Sequence, residues 1–157
     1  MKFENVQLDF YSNFLGEGEI RLYCNNKDTE FKLNIFEKAP NSHEIIQLRQ
    51  GENQIYHFSM WEGYFNQINH LLVERVSFIE LPKFIRDYQI GEGWDWNLFY
   101  QKIPITELDW VLNQMEYLVK NVDKYKMNFW NFDCVENLYL FLKIVKGNNL
   151  QLYISKE

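Results

Sequence analysis

A chain of 157 residues with 46% hydrophobic and 24% charged side chains has the composition of one folded domain, expected to span residues 1–157, and not that of a disordered protein. No apolar run is long enough for a transmembrane helix, and the opening MKFENVQLDF carries no secretory h-region, so a cytoplasmic location without membrane contact is expected. The net charge of −6 disfavours direct binding of nucleic acid or anionic lipid.

In chain order, residues 19–24 (EIRLYC) alternate Ile20, Leu22 and Cys24 against Glu19, Arg21 and Tyr23. Residues 30–36 (EFKLNIF) repeat that pattern after the turn-forming NNKDT. Period-two alternation marks half-buried strands, here paired as a hairpin. Residues 44–49 and 54–58, joined by Gln-Gly-Glu-Asn, read as a second hairpin. Residues 59–72 read as a helix: Ser59 and Glu62 form a capping box, and Tyr64, Phe65, Ile68, Leu71 and Leu72 fall at helical spacing. Gly63 weakens that reading. Residues 73–80 alternate again and read as a strand, and Pro82 suits the first turn of a short helix over 82–88.

The second half is helical. Thr106 and Asp109 form a capping pair, followed by Leu108, Val111, Leu112, Met115, Leu118, Val119 and Val122 on one stripe. A further helix is expected from about Asp133, with Val135, Leu138, Leu142 and Val145 facing the core and Gly147 ending it. Residues 150–154 (LQLYI) alternate as a final strand. The fold class is therefore α+β: an antiparallel sheet built mainly from the N-terminal half, packed against C-terminal helices and completed by a C-terminal strand.

Familiar chemistries fail on spacing. His43, His57 and His70 form no metal-ligand motif, so neither a metal nor another cofactor is expected. The serines sit in no nucleophile elbow. Cys24 and Cys134 read as reduced, buried thiols. The GEGWDW stretch places Trp96 where a dinucleotide loop needs glycine. Its carboxylates Glu92 and Asp95, between Trp94 and Trp96, could serve a sugar-cleaving site only at a suitable separation. Lys120, Lys124 and Lys126 lie among rings in KNVDKYKMNFW, which reads as a solvated helix end and loop.

Charge is concentrated. Residues 87–119 hold Asp87, Glu92, Asp95, Glu107, Asp109 and Glu116 against Lys102 alone, six acids to one base and so a local charge of −5. On the helix after Pro104, Trp110 and Tyr117 turn away from the apolar stripe, either into a second packed layer or into solvent. In the exposed case, Asp87, Glu92, Trp94, Asp95, Trp96, Asp109, Trp110, Glu116 and Tyr117 make a partner-binding surface of rings and carboxylates. Such a surface suits a basic protein: aromatics supply the hot spots and acids steer the encounter.

A small, acidic, aromatic-rich α+β chain of this character resembles the cytoplasmic immunity proteins of bacterial polymorphic and contact-dependent toxin systems. The resemblance is to overall character along the whole chain, not to a signature motif. It implies a non-enzymatic inhibitor that neutralises a cognate toxin domain by covering a basic active-site cleft. A self-associating regulatory or assembly module, and a small enzyme without a familiar motif, are the alternatives. Oligomeric state is not legible in the sequence.

Overall fold

The computed structural model of the chain describes residues 3–25, 56–89 and 101–156. Its strands are β1 (Asp9–Phe10), β2 (Glu19–Asn25), β3 (Tyr56–Trp61), β4 (Gln101–Ile103) and β5 (Gln151–Lys156). Its helices are α1 (Glu62–Glu74), α2 (Lys83–Gln89), α3 (Ile105–Lys120), α4 (Val122–Tyr125) and α5 (Phe132–Gly147). The strands form one sheet in the order β1-β3-β2-β5-β4. β2 pairs antiparallel with β3 and β5, and β4 with β5, while the short β1 runs parallel to β3. The fold is α+β, and the C-terminal strand is placed inside the sheet, between β2 and β4. The strands read at 30–36 and 44–49, and the GEGWDW stretch, lie outside the described residues.

Strand patterning explains the central position of β5. Leu152 and Ile154 pair with Cys24 and Leu22, which continue across the register to Tyr56 and Phe58. Ile20, Leu22, Cys24, Phe58, Met60, Leu152 and Ile154 are buried and join the core beneath the helices. α1 and α5 pack on β3, and α3 packs on α5. The stripe read on α3 is buried from Leu108 through Leu118, and α5 adds Phe132, Cys134, Phe141 and Ile144 to the four positions read from spacing. Each such side chain contributes roughly 1.5–3 kcal/mol when fully buried.

Alternation in β2 does not give a wet face. Glu19, Arg21 and Tyr23 are buried, as are Ile20, Leu22 and Cys24 on the other face. Arg21 donates to Glu19 through Nε at 3.2 Å and Nη2 at 2.9 Å, a two-point ion pair that neutralises both buried charges.

Four local readings are corrected. Ser59 is a buried strand residue opposite Arg21, so it caps nothing, and α1 begins at Glu62. The strand expected at 73–80 is instead the end of α1 followed by a 3-10 turn, Phe78–Glu80, because Leu72 and Val73 extend the apolar stripe of the helix. The capping box belongs to that turn: the Ser77 hydroxyl donates to Glu80 Oε2 at 2.6 Å, and the Ser77 amide to the same oxygen at 3.1 Å. Thr106 does not cap α3, which starts at Ile105 behind Pro104. Gly147 remains within the end of α5, and the left-handed residue is Asn149 at φ 55°. Asparagine tolerates that conformation, so the chain turns back there into β5.

Candidate functional site

α3 carries four of the residues singled out in the sequence, as two rows of i, i+7 neighbours: Asp109 with Glu116, and Trp110 with Tyr117. The structure separates the two rings. Trp110 is half-buried against the core, whereas Tyr117 is 39% exposed. The acids lie beside lysines. Asp109 pairs with Lys146 of α5, and Glu116 with Lys120 one turn on, at 2.7 Å. Asp87 on α2 pairs with Lys83. The Lys120 ammonium holds the Glu116 carboxyl below the usual carboxylate value. Glu107 is consumed structurally: its Oε1 accepts from the Lys83 amide at 3.1 Å, at the start of α2. That bond fixes α2, and Asp87 with it, near the first turn of α3. Tyr117 lies ten residues beyond Glu107, about 15 Å along the helix. Glu92, Trp94, Asp95 and Trp96 are outside the described residues.

At the far end of α3, Tyr117 is the centre of a cluster. The Arg75 guanidinium lies 3.6 Å from the ring centroid, in cation–π contact. The Tyr125 ring packs at 5.9 Å and a tilt of 59°. Arg75 follows directly on α1, at its negative C-terminal end, where a cation is favoured. Among the described residues its Nη1 is buried without a hydrogen-bond partner, and the Tyr117 ring covers this cation. Arginine and tyrosine are the residue types that dominate binding hot spots. This pair is pre-ordered by stacking, which reduces the ordering cost of association.

Elsewhere the reactive groups are held quiet. Cys24 and Cys134 are free and buried. Burial pushes the Cys24 thiol up to about 12 and raises that of Cys134 further, which opposes thiolate chemistry. Glu62 accepts from the Tyr88 hydroxyl at 2.8 Å and from Lys156 at 2.6 Å, which joins α1, α2 and the end of the sheet. Burial and the Glu62 carboxylate push the Tyr88 hydroxyl well above its usual value, keeping it a neutral donor. Among the described residues, no group of three His, Cys, Asp or Glu side chains is placed to hold a metal ion, and no helix is long and apolar enough to cross a membrane.

Two features escaped sequence reading. Arg75 lies 42 positions from Tyr117, and no periodicity links them. The second is a ring stack. Phe14 lies on Trp61 at 4.5 Å and 1°, and Trp61 lies on Trp130 at 5.2 Å and 16°. Trp130 is 71% exposed, and its amide donates to Gln67 Oε1 at 3.1 Å. The chain matches no protein-family model, and neither a curated protein nor a solved structure shows significant similarity to it.

Proposed function

We propose that this chain is a protein-binding inhibitor of the immunity type, which neutralises a cognate bacterial toxin in the cytoplasm by covering a basic cleft. The observation that carries the reading is the exposed Tyr117 ring, pre-ordered by the Arg75 guanidinium at 3.6 Å, on the same helix as Asp109 and Glu116. The rings supply the buried anchor once the partner docks. Overall negative charge, to which Glu92 and Asp95 contribute, supplies steering towards a basic partner. The lysines beside Asp87, Asp109 and Glu116 moderate that field at short range, so steering is a property of the whole chain more than of α3. Reversing Glu92 and Asp95 to lysine is expected to slow association and to weaken its salt dependence.

The test is recovery of a partner from lysate of the chain's own source, followed by an assay of that partner. A protein held at one to one, whose activity falls as the chain is titrated in, meets the proposal. A partner whose activity is unaffected at saturation overturns the inhibitor reading.

A further inference from the structure

A second surface lies over α1, apart from the Tyr117 cluster. It is an open groove of about 610 Å³, walled by α1 and bounded by Gln89, Asn128 and Trp130. That size falls within the usual range for small-ligand sites. Three features define what fits it. The first is a flat platform: Trp130 is 71% exposed, and Trp61 and Phe14 are stacked in line with it, so the indole is supported by two further rings. The second is charge: among the described residues the lining contains no Asp, Glu, Lys or Arg, and its one ionisable side chain, His70, pairs with Glu74 at 3.0 Å. The third is the presentation of amides. The single Tyr88 hydroxyl proton goes to Glu62, so the Asn66 amide, 2.6 Å from that hydroxyl, donates an N–H to its oxygen, while Gln67 accepts from the Trp130 amide through its own oxygen. Gln67 therefore keeps its NH2 group for a ligand, and Asn66 keeps its oxygen and one N–H. The side chains of Gln89 and Asn128 form no hydrogen bond among the described residues and offer both donor and acceptor.

We infer that this groove binds an uncharged carbohydrate, with one pyranose face laid on Trp130 and its hydroxyls hydrogen-bonded to Asn66, Gln67, Gln89 and Asn128. A hydroxyl both donates and accepts, which matches a rim of amides. A polyanion such as single-stranded nucleic acid also stacks on rings, but it requires a basic groove, and the described lining holds no Lys or Arg on a chain of net charge −6. A proline-rich peptide docks in grooves between aromatic ridges. Here the two tryptophans are stacked face to face, at 16°, and make one platform. Addition of a peptide strand requires an open sheet edge, whereas this wall is helix α1.

The experiment is a screen of the purified chain against an array of neutral and charged glycans, with affinities of hits measured by tryptophan fluorescence. Neutral glycans are expected to bind, with Trp130→Ala lowering affinity by about tenfold or more. Gln89→Ala and Asn128→Ala, both surface changes that spare the ring stack, are expected to weaken binding several-fold each with an unchanged far-ultraviolet spectrum. Tyr117→Ala is expected to leave glycan affinity unchanged, which separates this groove from the inhibitor surface. The inference is overturned if no neutral glycan binds at millimolar concentration, if charged glycans bind better, if the three groove variants bind like the parent, or if a proline-rich peptide occupies the groove in preference.

Discussion

Asn69 is the residue least reconciled with its surroundings. It is 1% exposed in α1 and lines an internal cavity of about 30 Å³, whose other described walls are apolar side chains such as Leu22, Phe65, Leu72 and Met115. Its Nδ2 has no hydrogen-bond partner among the described residues. A buried donor left unpaired costs roughly 1–3 kcal/mol. One water would fit the volume but would find no second polar wall among the described residues, and a buried water needs two to four partners. Asn69→Leu is therefore expected to raise stability by about 1 kcal/mol, read as a higher urea midpoint at unchanged slope. A lower midpoint would show that the amide is satisfied by water after all. Tyr117 and Arg75 make the complementary case, since each shields the other's exposed face. Arg75→Ala is expected to cost less than 1 kcal/mol in stability, about the value of an exposed cation–π pair, yet to weaken partner binding by about tenfold or more. A large loss of stability with unchanged binding would make the pair structural only.

Among the elements, α1 depends on an unusual glycine. A Cβ at Gly63 would lie 2.4 to 2.6 Å from the Trp61 ring, so the indole occupies the space that any side chain would need. In an ordinary helix Gly→Ala stabilises by about 1 kcal/mol. Here the sign is expected to reverse: Gly63→Ala should lower the thermal midpoint and disturb the Trp61–Trp130 stack, visible in the near-ultraviolet spectrum. A stabilised variant would mean that the ring yields readily. The same glycine shows where sequence reading succeeds and fails. α3, α5 and β5 were legible because their apolar spacing is long and regular, and packing then enforces it. The segment from Ser59 to Leu81 was not, because its helix start depends on a ring folding back over Gly63. Likewise, Asn149 rather than Gly147 turns the chain, a choice fixed by where β5 must enter the sheet.

At the scale of the molecule, charge read along the sequence overstates charge in space. The acids of 87–119 are numerous, but folding places Lys83, Lys120 and Lys146, all outside that window, against three of them. The alternation of β2 was legible, while the burial of Arg21 with Glu19 on its second face was not, since alternation alone does not show what covers a sheet. Folding also sets the response to acid. Burial and the nearby Arg21 charge lower the His57 pKa from 6.5, so the unfolded chain gains this proton first and stability falls as pH drops below 6.5. Burial raises the Glu62 value, but bonds from Lys156 and Tyr88 outweigh it and hold the carboxyl below 4.5. Its contribution is fully present above that pH and is lost as pH falls through the folded value. His57→Gln should flatten the decline between pH 6.5 and 4.5, and Glu62→Gln the part below it; equal slopes in all three proteins would refute this assignment. The most direct test of the central claim is a one-step comparison of affinity for the recovered partner between the parent chain and Tyr117→Ala. The account predicts a loss of about tenfold or more, with a stability cost of only about 1 kcal/mol that leaves the chain folded. Equal affinities would contradict it and place the inhibitory surface elsewhere on the molecule.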